Sequence, residues 1–214
     1  MKPCKCQGDA VPTQTNGDRL TPLSQWARGE AERLLAPLGR RWAHTQGVAA
    51  TASALASLVA PAERDVAVAA AWLHDGGYAP SLAATGFHPL DGARYVHALG
   101  HVRLAGLIAH HTGARYEAKR RGLAAELDEF EEEHSHLADL VTYADLTTGP
   151  GGLPVNPGQR LAEVAQRYGP DHVVTQALAE GRPALLGAVG RVESRLSQCA
   201  AAALGRRLIG AGAS

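Results

Sequence analysis

Apolar residues along this chain recur at three, four and seven positions, the spacing of one helix face, and nowhere alternate over a run bounded by turn residues. Leu23 to Leu38 reads as a helix with Trp26, Leu34 and Leu35 on its apolar side, broken by Pro37 and Gly39. From Trp42 to Ala60, Val48, Ala52, Leu55 and Val59 form a second stripe. Pro61 takes the first position of a third helix, where its missing N–H does no harm. That helix carries Val66, Ala70 and Leu73 inward and ends at His74-Asp75-Gly76-Gly77. After a loop with Pro80 and Gly86, Pro89 opens a helix through Val96 and Leu99 that Gly100 ends. Val102 to His111 follows, with Leu104, Leu107 and Ile108 inward. Arg115 to Glu133 reads as a charged, exposed excursion. Leu137, Leu140, Val141 and Ala144 mark the next buried helix, which Gly149 to Gly152 breaks. Three more helices are predicted: Gly158 to Tyr168, Asp171 to Glu180, and Pro183 to Leu208. The fold class is all-α.

Three segments follow from this pattern. Residues 1–20, rich in Pro, Gly, Thr, Gln and Asn, read as a mobile tail. Residues 21–156 hold the helical core, and 157–214 add carboxy-terminal helices packed on it. The stripe Leu185, Val189, Val192 and Leu196 is read as completing that core in preference to pairing two chains, and a homodimer stays open.

Composition narrows the function. The chain has 214 residues, 21 basic against 21 acidic, and a pI near 7.2. Zero net charge argues against a nucleic-acid polymer as partner, since that needs a basic surface to displace counterions. Aromatic residues at 5 % leave few stacking platforms for single strands. Cys4, Cys6 and Cys199 make no disulfide framework, and Cys4-Lys5-Cys6 belongs to the solvated tail. With no signal-peptide run in the first twenty residues and no stretch apolar enough for a bilayer, no membrane is expected and the expected compartment is the reducing cytoplasm.

Ten histidines are the outlier, and seven of them fall between His44 and His111. His44 lies four residues before Val48, on the same inward stripe. His111 lies three after Ile108, with His110 beside it. Asp145 is four after Val141, and His74-Asp75 follow the buried turn at Leu73. Each of these polar groups left unpaired in a core would cost roughly 2–7 kcal/mol, and an ionised carboxylate far more. One inward histidine is usually a satisfied core residue. Several with two inward aspartates are most simply solved together by a metal cation.

The order His44, His74-Asp75 and Asp145, with Tyr-Ala-Asp-Leu-Thr-Thr at 143–148, resembles the defining pattern of the HD superfamily of metal-dependent phosphohydrolases over about residues 40–150. His88 and the His110-His111 pair are similar to the extra ligands of its binuclear members. Gly-Phe-His-Pro-Leu-Asp-Gly-Ala (86–93) and His-His-Thr-Gly-Ala-Arg (110–115) are similar to phrases in bacterial HD hydrolases acting on dinucleoside polyphosphates. The resemblance implies an HD-domain helical bundle with one metal on His44, His74, Asp75 and Asp145. A second would use Asp75 as a bridge with His88, His110 and His111. Imidazole mixed with carboxylate suits Mn, Fe, Co, Ni or Zn. The implied substrate is a small phosphorylated molecule such as a nucleotide, with His74 and Asp75 at the catalytic centre. Thr147 or a backbone carbonyl is expected to orient the ligands.

The chain also departs from the pattern. Many members follow His-Asp with a triplet ending in a phosphate-facing lysine, where this chain has Gly76-Gly77-Tyr78; Arg115 is the expected substitute. Twelve residues separate Asp75 from His88, a short interval that leaves one metal or two open. The same ligand order also resembles HD-type di-iron oxygenases, although those place a lysine near positions 114–115, here Ala and Arg. A non-enzymatic scaffold is the third class. His97, His101, His134, His136 and His172 read as surface or capping groups, and Asp91 as a helix cap.

Overall fold

The computed structural model describes residues 22–211, with side chains to Ala202; the expected tail and its Cys4 and Cys6 lie outside the described residues. Among the described residues no β-strand forms, and a single bridge pairs Thr148 with Pro154. The architecture is all-α, as the periodicity indicates.

Helix α1 (Pro22–Leu35) and helix α2 (Arg40–Ala54) flank α3 (Arg64–Leu73), which runs through the centre. Its sequence explains that position. Ala67, Val68, Ala69, Ala70, Ala71 and Leu73 are all buried, so the helix is apolar on several sides and small on most of them. Alanine lets α1, α2, α5 (Val102–His110) and α8 (His136–Leu146) approach together. Val66 is only half buried, because α3 is enclosed around residues 67–71. Phe87, Leu90, Ile108, Leu137 and Leu140 fill the main core, each removing roughly 1.5–3 kcal/mol of apolar exposure.

Several boundaries differ from the sequence reading. Helix α2 stops at Ala54, and Ala56–Leu58 forms a 3-10 turn. Ala60, next to Pro61, is extended (φ −58°, ψ 144°), as steric clash with a following proline demands. Pro61 opens a 3-10 turn, and α3 starts at Arg64. Residues 115–133 are anchored rather than merely exposed. Helices α6 (Ala114–Arg121) and α7 (Ala124–Leu127) bury Ala114, Ala118 and Leu127, and Phe130 follows them into the core.

The last two predicted helices are one, α10 (Val173–Ala211), with Pro183 inside it. Proline there forfeits a helix hydrogen bond, but Pro183 sits on the exposed face. Two residues earlier Gly181 lies against the Tyr116 ring of α6, where an added Cβ would come within 2.6 Å, so packing carries the helix through. Leu185 and Val189 of α10 join Leu146 and Leu161 in a separate small core. Leu161 belongs to α9 (Pro157–Tyr168), which Asn156 caps by accepting from the Gly158 N–H at 2.8 Å. No described helix is long and apolar enough to cross a membrane.

Candidate metal centre

The ends of α3, α5 and α8, the middle of α2 and the start of α4 (His88–Ala98) meet at Asp75. Its two carboxylate oxygens face different ways. Oδ2 lies 3.5 Å from His74 Nε2 and 3.8 Å from His44 Nε2, whereas Oδ1 lies 3.4 Å from His88 Nε2. His44, His74 and Asp75 form one group whose ligand atoms lie within 4.8 Å of one another; Asp75, His88 and His111 form another. Donors on one tetrahedral ion with bonds near 2.0–2.1 Å stand roughly 3.3 Å apart, so these spacings match a shared cation. Asp145 joins through His44, with Oδ1 at 3.0 Å from Nε2.

Backbone carbonyls set the rings. Gly149 O lies 3.2 Å from His44 Nδ1, Ala71 O 2.8 Å from His74 Nδ1, and Ile108 O 2.6 Å from His111 Nδ1. Each Nδ1–H donates to its carbonyl and turns Nε2 toward the cluster, the usual support of a metal-binding imidazole. His74 Nε2 is buried with no hydrogen-bond partner. An orphaned imidazole nitrogen facing an ionised carboxylate is what a cation would satisfy. The residues fit a divalent transition metal.

Glycines make these approaches tight. A Cβ at Gly47 would come 2.4 Å from Gly152 O, and one at Gly152, itself at φ +77°, 2.4 Å from Ala43 O. That contact brings the Gly149–Gly152 turn onto α2, within reach of His44. At Gly77 a Cβ would lie 2.0 Å from His88 O, so the turn after Asp75 meets α4 backbone to backbone. Thr112, just past His111, holds a left-handed φ of 48° and donates from Oγ1 to Asp145 Oδ2 at 2.5 Å.

Electrostatics divides His44 from His74 and His88 beside two ionised carboxylates. Burial opposes ionisation of Asp75, yet the imidazoles around it, His74 foremost, and the Arg41 guanidinium hold its carboxyl well below the usual range. Asp145 is likewise held low against burial, by the hydrogen bond from His44 and the charges of His74, His44 and Arg160. Burial pushes His74 down and His88 further. His44 alone is raised: burial works against its charge, but the hydrogen bond to Asp145 and both aspartate charges outweigh that.

Some expected residues lie elsewhere. His110 is not brought into the cluster; its Nε2 donates to Phe130 O at 2.8 Å. It ends α5, and its neighbour His111 leaves the helix (ψ 148°), so consecutive rings face opposite sides. Arg115 has a 46 % exposed side chain, pairs with Glu132 at 3.2 Å, and lines a larger cavity of about 550 Å³ that reaches the cluster only at His111. Thr147 donates to Tyr143 O within its own helix rather than orienting a ligand. Asp91 sits inside α4 and accepts N–H bonds from Ala84, Thr85 and Gly86, tying down the preceding loop. His97, His134 and His136 are exposed.

The cations nearest the cluster were missed. Arg41 Nη1 lies 2.7 Å from Asp75 Oδ2, and its guanidinium covers the Tyr78 ring at 3.7 Å. Arg41 precedes His44 by three, one turn along the same stripe, which is the signal that marks it. Arg160 and Arg167, with Val164 between at helical spacing, line the cavity of about 100 Å³ beside Asp75, His88, His111 and Asp145. Comparison with models of known protein families matches residues 41–149 to the HD domain. No curated protein and no solved structure matches the chain.

Proposed function

The chain belongs to the HD domain family, and from that premise we propose that it is a metal-dependent phosphohydrolase cleaving a phosphoester or phosphoanhydride in a small phosphorylated substrate. The observation that carries the reading is Asp75, whose two oxygens serve two imidazole sets while His74 Nε2 stays buried and unpaired. His44, His74, Asp75 and Asp145 would hold one cation, and Asp75, His88 and His111 a second. Cations there supply Lewis acidity, neutralising phosphoryl charge and lowering the pKa of water toward about 7.

The chain's own residues do the rest. Asp75 stays ionised and fixes the spacing of the two ligand sets. Gly149, Ala71 and Ile108 carbonyls keep three rings in the ligating tautomer. Arg41, cradled on Tyr78, places a permanent positive charge where phosphoryl oxygens would lie.

Elemental analysis of anaerobically purified protein, with hydrolysis of phosphate esters, tests this. Two transition-metal equivalents per chain and turnover, both lost in His74→Ala and Asp75→Ala, are expected. Losing several kcal/mol of transition-state stabilisation corresponds to a drop of about a thousandfold. Failure to bind added Mn or Fe would overturn the reading. Iron with O₂ uptake and no ester hydrolysis would replace it with oxygenase chemistry.

A further inference from the structure

One wall of the cavity beside Asp75 comes from α9, which lies beyond the matched residues 41–149. Arg160, Leu161, Val164, Arg167 and Tyr168 face it from successive turns. Arg160 is only 8 % exposed, and its charge reaches His44 and Asp145. A buried guanidinium needs an anion, and the carboxylates nearby are committed. Asp75 and Asp145 belong to the cluster, and Glu117 pairs with Arg121 at 2.6 Å. That leaves Glu163 for both α9 arginines, at 2.5 Å from Arg160 Nη1 and 3.7 Å from Arg167 Nε. Glu163 is itself half-buried and does not line the cavity. With Arg41 there are three guanidiniums around the cavity and one shared carboxylate for two of them.

We propose that α9 is the anion grip of this site: Arg160 and Arg167 exchange Glu163 for the oxygens of a terminal phosphoryl group. The reading rests on the hydrolase assignment above. Guanidinium groups match phosphate geometry with paired hydrogen bonds, and two from one helix face bind one tetrahedral group from adjacent corners. Size selects the class of phosphate. A cavity of about 100 Å³, far below the roughly 300–1,000 Å³ of sites that enclose whole small molecules, admits a phosphoryl group at the end of a substrate. A phosphate flanked by organic groups on both sides would have to leave both of them outside these walls. The substrate class is therefore a phosphomonoester or a terminal anhydride phosphate, not a diester or the internal phosphates of a dinucleoside polyphosphate.

The test is titration of metal-loaded full-length protein with inorganic phosphate, followed calorimetrically, beside hydrolysis of p-nitrophenyl phosphate and bis(p-nitrophenyl) phosphate. Arg167→Ala is expected to weaken phosphate binding about tenfold or more, with metal content unchanged, and Arg160→Gln to do the same if it folds. Glu163→Gln should tighten phosphate binding, because both arginines lose their resident partner; a merely structural Glu163 would not do so. The monoester should be turned over and the diester not. Equal phosphate affinity in all variants, no phosphate binding by the wild type, or diester turnover matching the monoester would overturn the proposal. Arginine-dependent phosphate binding without hydrolysis of either ester would uphold the grip and sink the hydrolase reading instead.

Discussion

The Tyr78 ring lies flat against the His88 imidazole, centroids 3.9 Å apart and planes 18° apart. The opposite face of Tyr78 carries the Arg41 guanidinium. One aromatic ring thus positions a candidate ligand on one side and a cation on the other, in the sequence position where many relatives of this pattern carry lysine. Tyr78→Phe should leave metal affinity within about twofold, since ring stacking survives. Tyr78→Ala should weaken metal binding about 10–100-fold, the usual cost of losing support around a ligand. Competition with a chelating dye reads both.

Thr112 bridges the two halves of the cluster by following His111 and donating to Asp145. Thr112→Ser keeps the hydroxyl and should behave as wild type. Thr112→Ala should release Asp145 and weaken metal binding roughly tenfold or more. Equal affinity in both variants would show that Asp145 needs no such support.

Protons and cations compete at the cluster in a fixed order. His44 is raised above its ordinary value, so it charges first as pH falls; His74 and His88 are lowered and charge last. In folding terms, the His44 contribution is present below the unfolded value of 6.5 and lost as pH rises through its folded pKa. The buried neutral His74 and His88 have the opposite sign, and destabilise as pH falls below 6.5. Metal affinity at the His44 group should therefore decline first on acidification, with the His88 group holding to lower pH. Metal titrations stepped from pH 7.5 to 5.5 should resolve two losses rather than one.

Gly47→Ala should cost about 1–3 kcal/mol of stability, because its Cβ would overlap the Gly152 backbone. It should also lower metal content, since the displaced turn carries the Gly149 carbonyl that orients His44. Thermal denaturation and elemental analysis on one preparation separate the two effects.

Arg115→Ala should leave kcat/KM within about twofold, because its partner is Glu132 across a largely exposed pair of small worth. Arg41→Ala should lower it much further. The reverse ranking would return phosphate contact to Arg115.

Helical periodicity exposed the class of fold and the inward placement of His44, His74, Asp75, His111 and Asp145, because a polar residue on an apolar stripe is visible as an exception. His110 misled for a geometric reason. Adjacent residues share a sequence motif but not a direction, and only the break in backbone at His111 decides which ring turns inward. Arg41 shared the inward stripe yet was not read as part of it. Arg160 and Arg167 were legible as a stripe but not as neighbours of Asp75, since helix-to-helix placement depends on the turn at 149–156. Pro183 shows the opposite failure: a local helix breaker was overridden by packing at Gly181.

Gly77 touches His88 main chain to main chain, and this makes it a gauge. The distance between the two ligand groups is set by two stretches of backbone in contact, with no side chain between them to stretch or repack. Substitutions elsewhere in the cavity can change what is held or how tightly. A side chain at position 77 would act as a shim, prising one half of the centre from the other, so this residue governs how far apart the two ligand groups stand.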